Sequence, residues 1–190
     1  MIGGMIRQGL KLGRALGSAW RRAVITLAYP GVKLGPGVAV GRGAVVKATD
    51  GGAIEIGART SVGAGCVLIA KGGRLSIGAD GYVGDGCVIT CRQSIVIGDD
   101  ALIAEHVTIR DQDHAFDDPD TPIRLQGFVT APVAIGRDVW LGAKTTIAKG
   151  VTVGDGAVVG AGSIATKDVP AFAVAAGAPA KVLRSRRPSA

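Results

Sequence analysis

From Ile135 to Ile164 the chain reads IGRDVW, LGAKTT, IAKGVT, VGDGAV, VGAGSI, five six-residue units with no insertion between them. Each opens with an aliphatic residue (Ile135, Leu141, Ile147, Val153, Val159) and continues with a small one. The fifth position holds Val139, Thr145, Val151, Ala157 or Ser163, all small or β-branched. In an extended chain alternate side chains share a face, so the first and fifth positions point the same way. The glycine in second position is read as the place where the backbone bends. A short strand and a corner repeated every six residues winds into a parallel solenoid with the opening residues stacked inside it.

The same register runs through the earlier chain. Leu34, Val40, Ile56, Val62, Ile77, Val83, Ile97 and Ile103 open further hexads. Of the 13 openings, 11 are followed by Gly and the other two by Ala. The step from Ile135 to Val153 is 18 residues, three hexads, while Ile56 to Ile77 is 21 and Ile77 to Ile97 is 20. That spacing predicts a three-sided coil with small bulges at its corners. About six turns at ~4.8 Å each give a prism on the order of 30 Å long.

Two segments depart from the pattern. Over Ile2 to Leu27 a helical wheel gathers Ile2, Met5, Ile6, Leu10, Leu12, Leu16, Trp20, Val24 and Leu27 on one side and Arg7, Lys11, Arg14, Arg21 and Arg22 on the other. This predicts a basic amphipathic helix within residues 1–30, too polar to span a bilayer and without a cleavable signal pattern. It either packs on the coil or lies on an anionic membrane surface. Second, Ile97 to Ile135 spans 38 residues where one turn needs about 18, so roughly 20 residues, 111–130, leave the coil as a loop. Long excursions from a regular scaffold are where function concentrates. The solenoid then covers 31–170, interrupted by that loop, and 171–190 form a closing segment with a basic end.

Composition agrees with thin stacked coils: 31 Gly against seven Phe, Trp and Tyr residues in 190. The net charge of +7 lies in residues 1–49, which hold eight Lys and Arg and no acid. Without aromatic interleaving or a recognition motif, that charge does not read as a nucleic-acid surface. Cys66, Cys87 and Cys91 show no metal-ligand spacing. Cys66 and Cys87 both take fifth positions one turn apart, as small buried side chains would in a reducing cytoplasm.

Two histidines exist, His106 and His114. His106 falls at an outward hexad position and reads as a surface side chain. His114 lies in the loop among Asp111, Asp113, Asp117, Asp118 and Asp120, where a neutral imidazole suits removal of a proton from a hydroxyl or amine. A loop histidine held structurally by Asp111 or Asp113 is the other reading. The acids lack the alternating ligands and terminal Glu of a calcium loop, and the chain has no nucleophile elbow or paired metal ligands.

The hexads, the loop motif Asp-Gln-Asp-His at 111–114, Ile-Gly-Arg-Asp-Val-Trp-Leu-Gly-Ala from Ile135, Gly-Ala-Gly-Ser-Ile from Gly160, Thr-Lys-Asp-Val-Pro from Thr166 and Ala-Gly-Ala-Pro-Ala-Lys-Val from Ala176 together resemble a known family. It is that of the hexapeptide-repeat acyltransferases, in particular the galactoside, maltose and polysaccharide O-acetyltransferase branch. The resemblance implies an all-β solenoid of left-handed parallel β-helix type. It also implies a homotrimer, acetyl-CoA as cosubstrate in clefts between subunits, no metal, and His114 as general base. By position, Trp140 matches the tryptophan that packs at the cleft, Gly142 and Ala143 match backbone positions near the thioester, and Ala161 matches one that hydrogen-bonds the pantetheine arm. Thr166, Lys167, Lys181 and Arg184 match the nucleotide end. Asp111, Asp113 and Arg92 are candidates for holding the acceptor or orienting the histidine. The expected reaction is O-acetylation of a sugar hydroxyl in bacterial surface polysaccharide or glycolipid synthesis, with N-acetylation of an amino sugar as the alternative. A non-catalytic binding solenoid is the rival of another class. A β-helical carbonic anhydrase is disfavoured, since it needs three zinc-binding histidines.

Overall fold

The structure, a computed structural model, describes residues 17–187. Three parallel sheets form the sides of a prism. The first holds Val32–Leu34, Ala53–Ile56, Arg74–Ile77, Ser94–Ile97, Val133–Ile135 and Thr152–Val153 in that order. The second stacks Ala39–Val40, Ser61–Val62, Tyr82–Val83, Leu102–Ile103, Trp140–Leu141 and Val158–Val159. The third stacks Val45–Thr49, Val67–Lys71, Val88–Cys91, Thr108–Arg110, Thr146–Ile147 and Ile164–Ala165. Successive strands belong to successive sheets, so the chain makes about six turns and each strand hydrogen-bonds to the one a turn away.

The core is the predicted one. Every hexad opening from Val40 onward is buried, and Leu34, in the first turn, is half-covered. Each fully buried aliphatic contributes ~1.5–3 kcal/mol before conformational entropy is subtracted. Cys66 and Cys87 are both buried, each thiol donating to a carbonyl of the neighbouring turn, Gly84 O and Ala104 O, at 3.0 Å.

The second-position glycines serve a different purpose from the bend expected of them. Gly57 and Gly142, for instance, have ordinary φ, but a Cβ on Gly57 would stand 2.5 Å from Gly78 C, and one on Gly142 2.5 Å from Ala161 N. Close approach of consecutive turns is what excludes a side chain there. The bend falls two residues later, in the left-handed region: Arg59, Asp80, Asp100 and Asp138 at the corner between the first and second sheets, His106 and Lys144 at the corner between the second and third.

The described part of the N-terminal helix, 17–28, packs on the first turn through the side opposite to its apolar stripe. Arg21 Nε donates to Val40 O at 2.8 Å, Val40 N–H donates to Ser18 Oγ at 2.9 Å, Arg22 reaches Gly35 O at 3.3 Å, and Ile25 is buried. Trp20 and Leu27 are 71% and 86% exposed. Residues 2–16 of the predicted helix lie outside the described residues. At the other end, Ala173–Gly177 continues the second sheet and Ala180–Ser185 turns back on it antiparallel, so the closing segment is a hairpin. No helix among the described residues is long and apolar enough to cross a membrane.

Candidate active site

The excursion leaves at the third corner, between the third sheet and the first. Asp111 marks its root and is fully buried. Its carboxylate accepts the backbone N–H of Arg92 (2.9 Å), Gln93 (2.7 Å) and Ser94 (2.8 Å), which form the same corner one turn earlier, and the Cys91 thiol at 3.3 Å. Three N–H donors replace the water that a carboxylate loses on burial. Burial, with Asp111 alongside, pushes the Cys91 thiol up to about 12, so it is no nucleophile. The Asp111 carbonyl also accepts Ala131 N–H at 2.9 Å, which closes the neck of the loop.

Beyond the neck the chain forms a two-stranded hairpin, Gln112–His114 with Phe128–Thr130, and a single 3-10 turn at Ile123–Leu125. His114 stands opposite Phe128, ring centroids 4.3 Å apart and planes 36° apart. The Arg92 guanidinium carbon lies 3.5 Å from the centroid of the same Phe128 ring. Neighbouring residues of a strand point to opposite sides. Asp113 accordingly turns away from His114 and pairs with Lys149, at the third corner of the next turn, at 2.6 Å. Among the described residues no carboxylate hydrogen-bonds the His114 ring, which is exposed. Asp111 supports the loop from beneath and Asp113 ties it to the coil.

The remaining candidates lie elsewhere. Trp140, 49% exposed, projects from the second sheet, in a ladder with Tyr82, Leu102 and Val158. It lines a groove of about 440 Å³ with Leu102, Val158, Val174, Arg184 and Arg186. The floor is apolar and the cations come from the closing hairpin. Gly142 and Ala143 follow Trp140 round the second corner, with Ala161 one turn on. Gly142 N–H is bonded to Val159 O at 2.8 Å, whereas Ala143 and Ala161 N–H have no protein acceptor among the described residues. Thr166 and Lys167 are exposed after the last strand of the third sheet, and Lys181 is exposed on the closing strand. No group of three or more His, Cys, Asp and Glu side chains among the described residues is placed to hold a metal ion.

The third corner faces the second sheet across the prism. Within one chain, His114 and the Trp140 groove are therefore on opposite sides. Periodicity did not reveal Phe128, Lys149 or Arg186 as parts of either half, since their positions depend on the hairpin, on the next turn and on the closing strand respectively.

The family described as hexapeptide repeat of succinyl-transferase matches residues 132–167. A probable acetyltransferase of Mycobacterium tuberculosis is 36% identical over 169 residues, covering 88% of this chain and 56% of that protein. Galactoside O-acetyltransferase of Escherichia coli is 39% identical over 92 residues, 48% of this chain and 44% of that one. The chain belongs to the hexapeptide-repeat acyltransferase family. It spans about half the length of the curated relatives it matches. Among solved structures, a galactoside acetyltransferase in complex with coenzyme A superposes with a TM-score of 0.54 at 29% identity, covering 88% of this chain and 70% of that one. An N-acyltransferase from Bacillus cereus, in complex with dTDP and 3-hydroxybutyryl-CoA, superposes at 0.73 with 20% identity, covering 89% and 87%, and shares the fold.

Proposed function

We propose that this hexapeptide-repeat protein transfers acetyl from acetyl-CoA to a sugar hydroxyl, in surface polysaccharide or glycolipid synthesis, at sites built between copies of the chain in a homotrimer. The observation that carries the reading is the division of the candidate residues between opposite sides of one prism, a histidine on a braced hairpin and an apolar groove ending in arginines. Each half lacks what the other has. His114 takes the proton of the acceptor hydroxyl as its oxygen attacks the thioester carbonyl. The new C–O bond forms, the C–S bond breaks, and the departing thiolate recovers the proton from the imidazolium. Ala143 N–H, free of any protein acceptor among the described residues, is the donor placed for the developing oxyanion. Trp140 and the apolar floor suit the acyl and pantetheine portion, and Arg184, with Lys181, Thr166 and Lys167 at the same end of the prism, suits phosphates.

The test is complementation. His114→Ala and Trp140→Ala are expected to be inactive or nearly so separately, and to regain part of the wild-type thiol release from acetyl-CoA when co-assembled, because some sites then join two native halves. Mixed assemblies with no recovery overturn the shared site. The acceptor panel includes amino sugars and nucleotide-linked sugars. Transfer confined to amines replaces O-acetylation by the alternative that the likeness to the Bacillus cereus enzyme keeps open.

We place the protein in the cytoplasm, at the membrane's inner face. Arg21 and Arg22 hold the helix to the coil, so Trp20, Val24 and Leu27 are left facing outward at an end of the chain that carries no acid before Asp50. That stripe suits the interface of an anionic bilayer. Flotation with phosphatidylglycerol vesicles is expected to carry the wild type and to lose Leu27→Ser/Trp20→Ser. Equal flotation of both refutes the role of the stripe.

A further inference from the structure

We infer that Phe128 and Arg92 are positioning residues for the base, acting on the His114 ring in place of the carboxylate that usually orients a catalytic imidazole. This deepens the proposed function and rests on the assignment of His114 made there. A general base works through its placement, and a misplacement on the scale of 1 Å costs about 10²-fold in rate. His114 sits at an exposed hairpin position without a hydrogen-bonded carboxylate among the described residues, so its ring has to be fixed by packing. Phe128 supplies that contact as the cross-strand partner, 4.3 Å away.

Phe128 is itself exposed and would carry little positional information if it stood free. The Arg92 guanidinium, 3.5 Å from its ring centroid, changes this. A cation over an aromatic face is held there electrostatically. Arg92 belongs to the coil, and its N–H is one of three fixed by the buried Asp111 carboxylate. The same Asp111 begins the excursion, and through its carbonyl it holds Ala131, three residues beyond Phe128. A continuous path therefore runs from the rigid corner at 92–94, through guanidinium and phenyl ring, to the imidazole. On the other flank, Lys149 fixes Asp113 from the following turn.

The experiment compares Phe128→Ala, Phe128→Tyr, Phe128→Leu, Arg92→Ala and Arg92→Lys with His114→Ala by steady-state kinetics, and follows the two histidine ring signals by proton NMR. Phe128→Ala is expected to lower kcat by about 10–10²-fold with the KM for acetyl-CoA and the melting temperature unchanged. Phe128→Tyr should restore kcat to within a few fold. Arg92→Ala is expected to cost roughly 3–10-fold and Arg92→Lys less. Phe128→Leu keeps apolar bulk but removes the ring, so the His114 resonances move while those of His106 stay, which gives an internal reference. If His114→Ala is inactive while Phe128→Ala keeps the wild-type kcat, the positioning role fails and the base assignment stands. If His114→Ala retains activity, the base assignment fails and this inference with it. His114 signals unmoved in Phe128→Leu overturn the ring contact whatever the kinetics show.

Discussion

His106 and His114 are separated by one strand of the third sheet and the loop neck, and the places they occupy show what a solenoid can and cannot do with a side chain. His106 is a corner residue with φ of 58°, its N–H bonded to Asp85 O at 2.9 Å and its ring over Gly86, where a Cβ would stand 2.5 Å from Nδ1. The neighbouring turns hold its backbone, yet among the described residues the imidazole has no side-chain hydrogen bond and no stacked aromatic ring. His114 has left the coil and gained partners for that reason. The excursion places Phe128 opposite it and brings that ring under the Arg92 guanidinium of the coil, while Lys149 of the next turn pairs with its neighbour Asp113. The repeat gives rigidity without chemistry. One interruption of the repeat, anchored to it by a buried carboxylate, adds side-chain partners to that rigidity.

The comparison breaks most readily at the two rings themselves. His114→Ala is expected to lower acetyl transfer by ~10²–10⁴-fold, the usual contribution of a positioned base, while His106→Ala leaves the rate close to wild type. Thiol release from acetyl-CoA measures both, and the reverse order would assign the chemistry to the regular corner.

A smaller effect sharpens the contrast in stability. Asp111→Ala removes the carboxylate that accepts three part-buried backbone N–H groups, and at ~1–1.5 kcal/mol for each bond lost a decrease of about 3 kcal/mol is expected in urea unfolding. At the loop-free corner the comparable carboxylate, Asp85, accepts a single backbone N–H, that of Ala64 at 2.7 Å. A midpoint unchanged from wild type would mean that the anchor contributes nothing and that the excursion is held by its hairpin alone.

Much of this was legible before any coordinates. The hexad openings, the fifth positions and the stacked Cys66 and Cys87 follow from period and residue size, and the excursion from a spacing that three hexads cannot fill. The helix was legible as an element, though not in its attachment. Over the described residues 17–28 the wheel separates apolar from basic sides, but it does not say which meets the coil. Arg21 and Arg22 face inward because the first turn has no earlier turn to donate to its carbonyls: Arg21 reaches that of Val40, and Arg22 that of Gly35, which accepts only a long bond from Val38 N–H at 3.4 Å besides. Similarly, the acids around His114 suggested an orienting carboxylate. Strand alternation sends Asp113 to Lys149, and Asp111 serves the corner below.

The sequence by itself determined the three-sided coil, the length of its turn, the place where it is interrupted and the histidine carried there. These depend on periodicity and side-chain size, which are local properties. The tertiary structure alone decided that second-position glycines are demanded by the approach of the next turn, that Asp111 is an anchor, that Phe128 packs on His114 with Arg92 over its ring, and that the Trp140 groove lies across the prism from His114. Each of these joins residues 17 or more positions apart, or hangs on the pleat of a hairpin, and no pattern along the chain encodes a distance between its turns.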